Sequence, residues 1–271
     1  MVYVVKKQKM SVENRILFPL PNYGFDPTET AVPWKRIKAA GFTVVFSTPT
    51  AKQPKADNRV LTGEGFGLLK PFCMADKEAL AAYAEMENSE EFRHPIAYDA
   101  IKPDDYVGIV IAGGHDKGMR EYLESTTLQT NIVNFFHNNK PVGAICHGCL
   151  LVGRSRDPAT GKSVLFGKKM TALTRRHELS AYNMTRLFLG DYYLTYPETT
   201  VEDEMRGYAE KAEDFQVGPG WPIPTLRDSA VKPYGFALID GNYVSSRFFG
   251  DANAFANAFI YLLTQKDEIK Q

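Results

Sequence analysis

Short apolar runs alternate along this chain with stretches in which apolar residues recur every three or four positions. "RILFPLP", from Arg15, reads as a buried strand, and "ETAVPWKRIKAAG" as a helix closed by Gly41. "FTVVFSTP" predicts a second strand, and "DKEALAAYAEMENSE" a helix capped by Asp76. "YVGIVIAGG" is a third strand running into a glycine turn, and "TLQTNIVNFFHNN" is a helix. "KPVGAI" is a fourth strand that feeds straight into "CHGCLLVGRS". "KMTALT" predicts a further strand and "ELSAYNMTRLFLG" a helix. "GFALIDGNYVSSR" predicts a hairpin turning at Asp240-Gly241, and "DANAFANAFIYLLTQ" an amphipathic closing helix. Strands that alternate with helices imply crossover connections. The chain therefore reads as α/β, with a mostly parallel sheet covered on both faces.

Two stretches interrupt this rhythm. Residues 50–75 are rich in Lys, Gly and Pro with little periodicity; residues 196–234 hold an acidic helix and then a Pro/Gly-rich loop. Both read as insertions that rim or cover the carboxyl edge of the sheet, where open parallel sheets bind their ligands.

Composition narrows the classes. The 271 residues suffice for one large domain or two small ones, and 32 basic residues balance 32 acidic ones, so charge favours neither nucleic acid nor a membrane surface. No segment approaches the ~20 apolar residues of a membrane span, and the apolar run in "MVYVVKKQKM" is too short for a secretory leader. Three cysteines, Cys73, Cys146 and Cys149, make no disulfide framework, which suits a reducing cytoplasm.

The chemistry concentrates at "GAICHG", Gly143 to Gly148, where a strand turns sharply into a helix. A residue at such an elbow projects above the sheet edge, over helix N-terminal amides that favour a thiolate. Cys146 is then a candidate nucleophile with a depressed pKa. The amides of Gly113 and Gly114, with that of His147, are candidate oxyanion donors. The bare motif also suits a small buried apolar cysteine. Cys146–Cys149 is formally C-x-x-C, although thioredoxin domains carry that motif earlier in the fold. "ATGKSV" is no phosphate loop, because Arg156 stands where the pattern needs glycine. His94, His115, His137 and His177 have no metal-ligand spacing, so no metal or cofactor is expected. Trp34 reads as core, Trp221 as a cover over the pocket, and His115 as a pocket wall.

With these residues in view, the chain resembles the ThiJ/PfpI superfamily, the class I glutamine-amidotransferase-like fold. The branch with stress chaperones and glyoxalase III enzymes is the most similar. The likeness runs from about Arg15 to about Leu263 and is most specific in "AICHG" and "AGGH". It implies a single flavodoxin-like three-layer sandwich that forms a homodimer as the family does, with Cys146 as nucleophile and His147 in the site. It also implies Glu29, in "ETAVP", facing the thiol, and Glu178, in "TALTRRHE", completing a Cys-His-Glu triad. Asp116 and Lys117 depart from the small residue usual after G-G-H, which bears on pocket shape. Glu29, buried beside a thiolate, should have a raised pKa and act as a proton carrier.

The expected function is cofactor-independent thiol catalysis on small reactive aldehydes, such as methylglyoxal to lactate, or a related deglycase activity. The alternatives are a cysteine amidase or protease of the same fold and a redox-sensing stress chaperone. Cys149 is a candidate resolving thiol.

Overall fold

The computed structural model describes residues 14–219, 227–229, 231 and 234–268. Its strands are β1 (Arg15–Pro19), β2 (Tyr23–Phe25), β3 (Thr43–Thr48), β4 (Lys55–Ala56) and β5 (Ile96–Ala97). They continue with β6 (Gly108–Ile111), β7 (Val142–Ile145), β8 (Ala237–Asp240) and β9 (Tyr243–Ser246). Among the described residues these form a seven-stranded sheet in the order β5-β3-β1-β6-β7-β9-β8 and a small pair, β2-β4. Every neighbour in the large sheet is parallel except β8 on β9. That exception is the hairpin read at Asp240-Gly241.

The five long crossover strands, β1, β3, β6, β7 and β9, stand in the doubly wound order 2-1-3-4-5, so the chain reverses direction across the sheet between β1 and β6. Helices Pro27–Ala39, Lys77–Glu87 and Ala252–Glu268 pack together, as do Thr126–His137 and Gly148–Arg154, and helices cover both sides of the sheet. The continuous apolar strands β1, β6 and β7 are buried along their length, as a sheet covered on both faces requires. Trp34 lies in the core.

One predicted strand is absent. "KMTALT" makes only an isolated bridge, Met170 to Phe215. Its backbone is satisfied elsewhere: the Thr171 amide donates to Ser245 Oγ at 3.0 Å, and Thr174 caps the helix Arg175–Leu189. A segment whose amides are taken by side chains has no ladder to join. The stretch 50–75 carries β4 and short helical turns, and its β4 pairs with β2. The N-terminal segment and Trp221 lie outside the described residues.

Candidate active site

Cys146 follows β7 directly and has a φ of 58°, a left-handed backbone that residues with a side chain seldom adopt. Such strain costs on the order of 1–3 kcal/mol and persists only where surroundings enforce it. Here they do. The Cys146 amide donates to Ser246 O on β9 at 3.0 Å, and its carbonyl accepts from Cys149 N at 3.2 Å. Two residues on, Gly148 lies against the end of β6. A Cβ there would sit 2.7 Å from Ala112 O and closer still to Ile111 O. Any side chain two residues after the cysteine would therefore collide with the end of β6.

Glu29 comes to the thiol from the first turn of helix Pro27–Ala39. Asp26 caps that helix, accepting from Thr28 N at 2.7 Å and Glu29 N at 3.0 Å, while its own amide donates to Gly113 O at 2.8 Å. Asp26 is a functional residue that the sequence reading passed over; aspartate just before proline in "DPTE" is the cap signature that marks it. The Glu29 carboxyl is fully buried, takes the Gly113 amide on Oε2 at 3.1 Å, and faces the Cys146 thiol. Gly113 allows this closeness. A Cβ at that position would lie 2.7 Å from Glu29 Oε2 and 2.8 Å from both Cys146 Cβ and His147 N.

This geometry corrects two expectations. The Gly113 amide already donates to Glu29, so it is not a free oxyanion donor in this state. The Cys146 thiol is not depressed either: burial first, then the charges of Glu29 and Asp26, push it well above its ordinary value, and the His147 amide opposes them only in part. Glu29 is itself raised by burial and by Asp26. With two acids facing each other in a dry pocket, burial and mutual repulsion push both towards keeping their protons.

His147 Nδ1 lies 3.4 Å from Cys146 Sγ, and its Nε2 faces Glu178 Oε1 at 3.9 Å. All three side chains are buried. Glu178 Oε2 accepts from Val201 N at 2.8 Å; burial lifts its pKa to about 7 and holds His147 well below the usual imidazole value. The His147–Glu178 contact therefore joins a neutral ring to a carboxyl poised near neutrality. At 3.9 Å it is longer than a hydrogen bond, so the Cys-His-Glu series is aligned but open at its second link.

The sequence reading placed His115 in the pocket wall; β6 and β7 are neighbours, and they deliver His115 and the elbow to one edge. The His115 ring stands edge-on to His147 with centroids 4.8 Å apart and touches Tyr193 at the same separation. A cavity of about 80 Å³ has His115 in its wall, with Phe72, Cys73, Leu173, Tyr193 and Phe248, but Cys146 and His147 do not line it. A larger groove of about 440 Å³ lies over the start of helix Arg175–Leu189, but Cys146 is not among its walls. Gly114 closes the back: a Cβ would meet Gly24 O at 2.5 Å. Asp116 caps the following turn by accepting from Gly118 N at 2.7 Å, and Lys117 pairs with Asp191 at the surface. The two charges after G-G-H thus serve the turn. Cys149 is buried, with its thiol directed to Ser246 O at 3.9 Å and its pKa pushed up to about 12.

A doubly wound sheet with a strained cysteine at the end of one strand, and a buried glutamate facing it from the switch point, defines the cysteine-elbow class of α/β proteins. The chain belongs to the ThiJ/PfpI family, whose profile, described as ThiJ/PfpI family-like, matches residues 20–219. It is 27% identical over 161 residues to the glutathione-independent glyoxalase hsp3101 of Schizosaccharomyces pombe, a match covering 58% of this chain and 62% of that protein. It is 23% identical over 168 residues to the deglycase TK1284 of Thermococcus kodakarensis, covering 62% and 69%. The crystal structure of glyoxalase III from Candida albicans superposes with a TM-score of 0.63 at 17% identity, covering 92% of this chain and 97% of that one. The matched region thus spans less than two thirds of the first of these relatives. Among the described residues no helix is long and apolar enough to cross a membrane.

Proposed function

We propose that the protein is a cofactor-independent cysteine enzyme that converts small 2-oxoaldehydes to 2-hydroxy acids, methylglyoxal to lactate being the simplest case. The observation that carries this reading is the Glu29–Cys146 pair: a buried thiol at the strained elbow and a buried carboxyl, both set against Gly113. As Cys146 Sγ bonds to the aldehyde carbon, the thiol proton passes to Glu29, which returns it to the new alkoxide and gives a hemithioacetal. A base then takes the proton from that carbon, and the electron pair forms an enediol. Reprotonation at the neighbouring carbon leaves a thioester; the aldehyde carbon is oxidised and the ketone carbon reduced, with no outside electron carrier. Water cleaves the thioester, releasing the hydroxy acid and restoring the thiol. Glu29 and His147 are the groups within reach of Sγ for the carbon-to-carbon proton transfer.

The names of the glyoxalase and deglycase relatives support this substrate class. An amidase needs a working Cys-His-carboxylate relay, and the 3.9 Å gap to Glu178 favours it less. The test is proton NMR of methylglyoxal and glyoxal incubated with the protein, beside an amide substrate. Lactate and glycolate should form, and Cys146→Ser should abolish them. Amide cleavage without hydroxy acid would transfer the assignment to the amidase class, and suppression of client aggregation that survives in Cys146→Ser, with no turnover at all, to the chaperone.

A further inference from the structure

We propose that His115, Cys146 and His147 form a binding site for a thiophilic divalent cation of the zinc type. This inference stands on the arrangement of these three side chains and does not require the aldehyde chemistry. Their ligand atoms all lie within 4.8 Å of one another. A zinc ion bonds sulfur at about 2.3 Å and imidazole nitrogen at about 2.0–2.1 Å, so a tetrahedral angle sets S and N roughly 3.5 Å apart. Cys146 Sγ and His147 Nδ1 stand at 3.4 Å, so this edge of the tetrahedron is already set. Bringing in His115 requires a ring movement on the order of 1 Å to reach the same spacing.

The outer contacts fit as well. A ligating imidazole is usually steered by an acceptor on its other nitrogen. Glu178 Oε1 faces His147 Nε2, which has no hydrogen-bond partner of its own, and the backbone of Tyr193 contacts the His115 ring. His115 Nδ1 is likewise buried with no hydrogen-bond partner. His115 Nδ1 is thus an unpartnered buried nitrogen beside the thiol, and such groups need an explanation. One thiolate and two imidazoles form a borderline-soft donor set suited to zinc, with a fourth position left open. The cavity lined by His115 brings solvent space to one of the three ligands. Binding replaces the thiol proton, which leaves to solvent, and occupies the sulfur, so the ion also shields Cys146 from electrophiles.

Cobalt(II) is the probe, because its spectrum reports ligands independently of turnover. Titration of the intact protein should give one equivalent bound, with a thiolate-to-cobalt charge-transfer band in the near ultraviolet. The band should vanish in Cys146→Ser, and His115→Ala and His115→Gln should each weaken binding at least tenfold, circular dichroism verifying that they fold. Zinc(II) should displace the cobalt and protect Cys146, but not Cys73, from iodoacetamide in peptide mapping. A charge-transfer band that persists in Cys146→Ser, cobalt affinity unchanged in both His115 variants, or no binding at micromolar metal would each overturn the site.

Discussion

At the scale of single residues, the Glu29–Cys146 contact makes a sharp demand on mutagenesis. Glu29→Gln removes the charge that holds the thiol up and leaves an amide whose oxygen can still accept from Gly113 while its nitrogen donates to sulfur. The thiol pKa should fall, so the iodoacetamide rate-versus-pH profile of Cys146 should move to lower pH. Hydroxy-acid formation should nevertheless drop by roughly 10²–10⁴-fold, because an amide cannot carry the proton. Alkylation and turnover should thus change in opposite directions. Turnover that stays near the wild-type rate would remove Glu29 from the proton path and leave His147. The corner that carries Cys146 and His147 could be read from the chain because elbow geometry is local, whereas Glu29 came from the family resemblance. The raised thiol pKa could not, since burial and facing charges depend on residues remote in sequence.

At the scale of elements, the elbow depends on glycine at two places where strands and helices nearly touch. Gly148→Ala would drive a methyl into the carbonyls at the end of β6, which are backbone and cannot turn aside. We expect a loss of stability of about 2–4 kcal/mol, as overpacking and backbone displacement add. The urea midpoint measures it, and a midpoint within error of wild type would show that the elbow can shift away from β6. This close approach was legible in the spacing of Gly143, Cys146 and Gly148. The loss of the "KMTALT" strand was not: its apolar alternation is strand-like, but Ser245 and the loop at Asp214 take its backbone groups first. Likewise Asp26 works through a cap whose importance appears only when the helix it starts reaches Cys146.

Across the whole molecule, burial of titratable groups sets opposing pH dependences. Glu178, with a folded pKa of about 7 against an ordinary 4.5, favours its neutral form in the native state. Its contribution is complete below pH 4.5 and is lost as pH rises towards 7, because the unfolded chain ionises first. His115 and His177, held at about 4 against 6.5, act oppositely: their contribution is present above pH 6.5 and is lost as pH falls through 4. Glu178→Gln keeps an acceptor for Val201 N and removes one side of this balance. Relative to wild type, its melting temperature should climb between pH 4.5 and 7. A shift of this size is worth about 3 kcal/mol, or roughly 5–10 °C for a chain this long. Parallel melting curves for the two proteins across that window would show that Glu178 keeps water in the folded state.

The chain by itself determined the alternation of strands and helices, the parallel sheet with its closing hairpin, and the cysteine at a strand-to-helix corner. Each follows from periodicity, caps and glycine spacing within a few consecutive residues. Only the tertiary structure decided that His115 stands over His147, that Gly113 donates to Glu29 and so withholds an oxyanion amide, and that Glu178 stops short of its histidine. It also decided the direction of the Cys146 pKa. A helix N-terminus favours a thiolate from local geometry, but desolvation and the facing carboxyl come from segments more than a hundred residues away, and in a dry pocket they outweigh it.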